Sequence, residues 1–277
     1  MRRSGGSVIR EGQNFIDDRW RIVRGLAEKV VVVTGGGNGI GAAISRRFGE
    51  EGARVAVWDI DAAAAENVAE SIVQEGGEAV AISCDIIDYE KVLAAVHETE
   101  TRQGPVDILV NNAGWDVFRP FLQSEPELWG KIIDINLRGA LNCLHTILPG
   151  MSERGRGRVV SVASDAARVG SSGESVYAAC KAGVIGLSKT LAREHARQGI
   201  TFNVVCPGPT ETELLENFMA EAGNPDKLAE AFRRAVPMGR LGKPDDLPGA
   251  VVFLASEDAA YITGQVLSVS GGLTMNG

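Results

Sequence analysis

The chain has 277 residues, 44% of them hydrophobic, which is enough apolar material for one sizeable core within a single α/β domain. A formal net charge of −8 speaks against a surface that collects nucleic-acid phosphates or anionic lipid, so a small soluble substrate is the expected partner. No apolar run approaches the ~20 residues a membrane helix needs, and residues 1–25 lack the hydrophobic centre of a secretory signal; the expected location is the cytoplasm.

The chain opens on a leader with six arginines (Arg2, Arg3, Arg10, Arg19, Arg21 and Arg24) against Glu11, Asp17 and Asp18. It reads as an N-terminal extension over residues 1–25, either an arm laid on a neighbouring subunit or, the favoured reading because it has no packed apolar face, a loosely ordered tail, with Phe15, Ile16, Trp20, Ile22 and Val23 as the residues able to anchor it. From Lys29 onward, short β-rich runs alternate with helix-length amphipathic stretches, the pattern of parallel strands joined by crossover helices. The spacing predicts strands near 29–34, 54–58, 79–84, 107–111, 157–162, 200–205 and 265–269. Helices are predicted near 39–51, 62–75, 88–103, 126–150, 175–198 and 244–255, with further helical pieces at 212–222 and 225–234. The expectation is a single α/β domain over residues 26–277: a seven-stranded, mostly parallel, doubly wound sheet with helices on both faces. Ligands of such sheets bind beyond the carboxyl ends of the strands.

Val30–Val33 runs into Thr34-Gly35-Gly36-Gly37-Asn38-Gly39-Ile40-Gly41 and then a helical pattern. Glycines at 35, 39 and 41 allow a tight turn and close approach to a pyrophosphate, and the helix start offers unpaired N–H groups; an ordinary strand-to-helix turn would also use glycine here. The second strand ends at Asp59, where a carboxylate can accept hydrogen bonds from an adenosine ribose and repels a 2′-phosphate. Asn38 adds no positive charge, so NAD is expected rather than NADP. Asp61 reads as a helix N-cap, while Asp85 has two readings, an adenine contact or a turn cap. The fourth strand delivers Asn111-Asn112-Ala113-Gly114 to the same edge, where asparagine amides can tie strands together and border the cofactor.

Tyr177 and Lys181 stand four apart in a helical stretch and so share one face. A phenol titrates near ~10, and an ammonium held close favours the phenolate. Ser164, in the loop after the fifth strand, can donate a hydrogen bond to a reacting oxygen. Cys84, Cys143, Cys180 and Cys206 form no CxxC pair and read as reduced core residues, and His97, His145 and His195 are isolated, so no catalytic metal is expected.

In this order TGGGNGIG, NNAG, Ser164, YAACK and Pro207-Gly208 resemble the short-chain dehydrogenase/reductase family over roughly residues 26–277. The resemblance implies a Rossmann fold, a homotetramer, and NAD-dependent hydride transfer at a CH–OH carbon. It makes Tyr177 the acid/base and Lys181 the group that lowers the Tyr177 pKa and holds the nicotinamide ribose. Ser164 positions the substrate oxygen, and Asn136 supports a proton relay. It assigns cofactor contacts to Gly35, Asn38, Gly39, Ile40, Gly41, Asp59, Asp85, Ile86, Asn112, Ala113, Gly114, Tyr177, Lys181, Pro207, Gly208 and Thr212. Where many members have two adjacent serines, this chain has Ala163 before Ser164 and Asp165 after it, a departure that bears on substrate preference. The stretches 112–116, 164–174, 206–210 and 268–277 resemble a branch of alicyclic acid degradation that oxidises a ring hydroxyl β to a CoA thioester. Trp115, Phe118 and Phe121 would then face the ring, and Arg119 and Arg168 a carbonyl or CoA phosphate, unless they are solvated loop residues. A 3-oxoacyl-thioester reductase shares the same scaffold, and a non-catalytic dinucleotide-binding protein is the alternative outside enzymes.

Overall fold

The computed structural model describes residues 23–221 and 225–275. Seven strands lie in one sheet: β1 (Val30–Thr34), β2 (Arg54–Asp59), β3 (Glu78–Ser83), β4 (Ile108–Asn111), β5 (Gly157–Val162), β6 (Ile200–Pro207) and β7 (Val266–Val269). Their order is β3-β2-β1-β4-β5-β6-β7, and every neighbouring pair is parallel. The connecting helices are α1 (Gly39–Glu50), α2 (Ala62–Gln74), α3 (Tyr89–Gln103), α4 (Pro126–Ile133), α5 (Gly139–Arg154), α6 (Ala166–Val169), α7 (Ser175–His195), α8 (Glu213–Glu221), α9 (Pro225–Ala235) and α10 (Pro248–Ala255).

Strand periodicity divides the core between the two faces of the sheet. On β1, Val31 and Val33 pack with Ile44 and Phe48 of α1, Val68 and Ile72 of α2, and Val251 and Leu254 of α10. Val30 and Val32, pointing the other way, pack with Val92 and Val96 of α3, Cys143 and Ile147 of α5, and Ala192 of α7. Strands buried on both faces read as unbroken apolar runs, which explains why Val30–Val33 has no polar alternation. All four cysteines are buried and free. No helix among the described residues is long and apolar enough to cross a membrane.

Four local readings change. The helix expected over 126–150 is interrupted: between α4 and α5 the chain makes a π-turn at Asp134–Arg138. The Asn136 amide donates to the Ile132 carbonyl at 2.9 Å, the acceptor its own backbone N–H would use in an α-helix, so the ladder slips. The stretch expected as a helix over 244–255 opens with a separate 3-10 turn at Pro244–Asp246, and α10 starts afresh at Pro248. The short α6 has no counterpart among the expected elements. At the amino end, Val23 is buried in the core and Arg24 pairs with Asp258 at 2.6 Å, so packing has begun by Val23, ahead of the boundary read at residue 26. The leader anchors Phe15, Ile16, Trp20 and Ile22 lie outside the described residues.

Candidate active site

The chain direction of the winding reverses between β1 and β4, and at that switch point the carboxyl ends of the strands open into a cleft of about 1870 Å3. Pockets for single small ligands usually span about 300–1000 Å3, so this cleft has room for a dinucleotide and a second reactant together. All sixteen residues expected at the cofactor line it.

The glycine turn is fastened from behind. Thr34 Oγ1 accepts the backbone N–H groups of Asn112 and Ala113, each at 3.1 Å, and the Asn112 amide donates to the Thr34 and Gly35 carbonyls at 3.0 Å. Asn112 is therefore a strand tie that also borders the cleft. Helix α1 begins at Gly39, and its N-cap Asn38 makes no side-chain hydrogen bond, which leaves the first-turn N–H groups free for an anion. Asp59 ends β2 beside this turn; its carboxylate accepts from the Gly37 N–H at 2.9 Å and the Asp61 N–H at 3.0 Å and faces the cleft. Asp61 caps α2 through the Ala64 N–H, as expected. Asp85 accepts from the Ile87 N–H at 3.2 Å, so it caps a turn while lining the cleft. Pro207 and Gly208, at the end of β6, and Thr212, which accepts the Leu215 N–H, close the other wall. The uncapped helix start, the glycine-lined wall and the acidic end of β2 together suit an adenine dinucleotide.

Ser164, Tyr177 and Lys181 meet deep in the same cleft. Ser164 and Tyr177 line the cleft together, and the Lys181 ammonium lies 5.6 Å from the centre of the Tyr177 ring. One helical turn of α7 thus puts both side chains on the cleft side. Lys181 is 4% exposed and donates to the Val162 carbonyl at 3.0 Å. Burial lowers its pKa to about 8, against which the negative charge of Asp116 works only weakly. Asn136 stands behind the cleft wall: its amide donates to the Trp115 carbonyl at 2.6 Å, and its carbonyl oxygen and the Lys181 ammonium both border Gly114.

One expectation is reversed. The Tyr177 phenol is pushed up from its ordinary value, not lowered, first by burial and then by the charges of Glu174 and Asp116. Ser164 pulls in the other direction, while the ammonium makes its hydrogen bond to Val162 rather than to the phenol. Desolvation of the phenolate is the largest cause.

The flanking residues sort unevenly. Trp115 lines the cleft, with the Lys131 ammonium 3.7 Å from its ring centre. Phe118, Phe121, Arg119 and Arg168 are not in the lining. Phe121 stacks on Trp129, and Arg168 donates at 2.8 Å to Ser268 of β7. Reading along the sequence missed the approach of Asp116 to Glu174 within the cleft, because the two lie on separate loops and no spacing rule joins them.

Comparison with known proteins agrees with this architecture. A family model described as enoyl-(acyl carrier protein) reductase matches residues 35–274. Acetoacetyl-CoA reductase of Rhizobium meliloti (strain 1021) is 41% identical over 245 residues, covering 88% of this chain and 98% of its own. The 2,3-dihydroxy-2,3-dihydro-p-cumate dehydrogenase of Pseudomonas putida is 40% identical over 251 residues, covering 90% and 96%. Among solved structures, 3-ketoacyl-(acyl-carrier-protein) reductase from Brucella melitensis complexed with NADH superposes with a TM-score of 0.84 at 37% identity, over 91% of this chain and all of that one. Fold, site and relatives coincide: the chain belongs to the short-chain dehydrogenase/reductase family and is an NAD(P)-dependent oxidoreductase acting on CH–OH groups.

Proposed function

We propose that this enzyme oxidises a hydroxyl β to a thioester with NAD, its substrate being 2-hydroxycyclohexanecarboxyl-CoA and its product 2-oxocyclohexanecarboxyl-CoA. The observation that carries the reading is the convergence of Ser164 and Tyr177 beside buried Lys181 on the wall of a dinucleotide-sized cleft. Tyr177 takes the hydroxyl proton as hydride leaves the carbinol carbon. Ser164 donates a hydrogen bond to the reacting oxygen, Lys181 holds the nicotinamide ribose, and Asn136 positions Lys181 through the wall they share at Gly114. NAD, when bound, supplies the hydride acceptor and a positively charged ring that favours the phenolate.

Relatives named for acetoacetyl-CoA and for a ring dihydrodiol support a thioester and a cyclic alcohol respectively, and Trp115 supplies apolar surface for the ring. A homotetramer belongs to the same proposal, supported by the exposed small residues Ala182 and Gly186 on α7. The test is an NAD-reduction screen across cyclic and linear β-hydroxyacyl-CoAs. The ring thioester should give the highest kcat/KM; a preference for linear substrates would instead favour the second reading, reduction of a 3-oxoacyl thioester, which the reductase relatives support.

Preference for NAD rests on Asp59. Replacing it by alanine removes a charged acceptor, worth ~1.5–3 kcal/mol when hydrogen-bonded, so the ratio of kcat/KM for NAD over NADP should fall by about tenfold or more. Because Asp59 also holds Gly37 and Asp61, absolute rates fall with both cofactors. An unchanged ratio would remove the ribose contact from the proposal.

A further inference from the structure

Asp116 follows Trp115 on the loop after β4 and lines the cleft together with Glu174, the residue preceding α7. Both of its carboxyl oxygens are shielded from solvent, and no donor among the described residues makes a well-formed hydrogen bond to either. Glu174 lines the same cleft, and its carboxyl lies near enough to push the Asp116 pKa up. Two carboxylates held near one another away from solvent disfavour each other's charge. The titratable groups facing Asp116 are Glu174 on its loop and Tyr177, Cys180 and Lys181 on α7. Of these only Lys181 is cationic, and it is already engaged with Val162.

We propose that Asp116 is a specificity residue whose carboxyl donates a hydrogen bond to the second oxygen of the substrate, the thioester carbonyl one carbon from the reacting carbinol. This rests on the thioester reading above and deepens it. Ser164 and Tyr177 are both directed at the reacting oxygen, so a substrate with two oxygens needs another donor for the second. Asp116 lines the same cleft, beyond the glycine wall that Asn136 and Lys181 share. The sign of the titration follows. Burial raises the Asp116 pKa to about 8; the Val117 N–H opposes it, Glu174 adds to it, and Lys181 opposes it most weakly. The proton, and with it the donor, is present at neutral pH and lost as pH rises through that value.

The experiment compares kcat/KM for 2-hydroxycyclohexanecarboxyl-CoA with that for cyclohexanol, which lacks the second oxygen, between pH 6 and 10. Titration of Tyr177 and Lys181 acts on both substrates and cancels in the ratio. In the parent enzyme the thioester-to-alcohol ratio should fall by about tenfold above pH 8. Asp116→Ala should lower it by about tenfold at pH 7 and remove the pH step. Asp116→Asn keeps an N–H donor that does not titrate, so its ratio should stay near the parent value and remain flat with pH; circular dichroism confirms that both variants are folded. If the thioester is a good substrate and all three proteins give the same ratio at every pH, the role of Asp116 is overturned and the substrate reading stands. If the parent enzyme shows no preference for the thioester over cyclohexanol, the substrate reading and this inference are overturned together.

Discussion

Tyr177→Phe should lower kcat by about 10²–10⁴-fold, the usual contribution of a positioned acid or base, while leaving NADH affinity within a few-fold of the parent value. The substitution removes one oxygen and leaves the ring, so the packing that pushes the phenol pKa up is retained while the proton acceptor is lost. The affinity should survive because the glycine turn, Asp59 and the uncapped start of α1 are untouched. Steady-state rates with the ring thioester, together with NADH fluorescence titration, separate the two effects. Retention of more than about a tenth of the parent kcat would assign the proton transfer elsewhere. The raised phenol pKa makes this test sharper than the sequence alone would suggest. In this structure burial and the neighbouring acids favour the neutral phenol at Tyr177.

Gly41→Ala should be the most damaging single-methyl change in the cofactor half of the site. A Cβ there would lie 1.9 Å from the Gly35 carbonyl oxygen and 2.5 Å from the Asn112 amide nitrogen. The oxygen belongs to backbone, which the Asn112 side chain itself ties to β4, so neither neighbour can yield without opening the turn. Overpacking of this kind costs ~1–3 kcal/mol. With each kcal/mol worth ~2–4 °C in a domain of this size, Tm should drop by several degrees and NADH affinity by more than tenfold. Gly249→Ala on α10 is the control, since nothing lies within 4 Å of its added methyl. There the helix-propensity gain of ~0.5–1 kcal/mol should leave Tm unchanged or raised. Thermal melts of both variants with and without NADH measure the contrast; equal Tm values for the two would show that the turn tolerates a side chain.

Both predictions concern residues whose placement could be read along the chain, because the relevant signals are local. A run of four valines followed by glycines and an apolar-periodic stretch describes strand, turn and helix within a dozen or so residues. The four-residue separation of Tyr177 and Lys181 settles their shared helical face wherever that helix goes. Asp59 needed only to be the last residue of a recognisable strand. The parallel sheet itself followed from the alternation, since crossover helices leave few other arrangements for strands in that order.

Reading by periodicity failed where a side chain competes with the backbone or where distant segments meet. The 126–150 stretch has helical spacing throughout, but the amide of Asn136 takes a carbonyl of its own helix and reaches Trp115 across the cleft wall, turning one helix into two joined by a π-turn. Arg168 looked free for a substrate anion because Ser268, its partner, lies on the last strand, 100 residues away.

Sequence by itself determined the doubly wound sheet, the glycine turn, the acid at the end of β2 and the shared face of Tyr177 and Lys181, since each follows from backbone period or from neighbours within one turn. Only the tertiary structure decided the direction of the Tyr177 pKa, the hydrogen bond that Lys181 makes, and the meeting of Asp116 with Glu174. Those depend on how deeply a group is withdrawn from water and which charges from other segments are left beside it, and desolvation is a property of the folded surroundings that no spacing along the chain encodes.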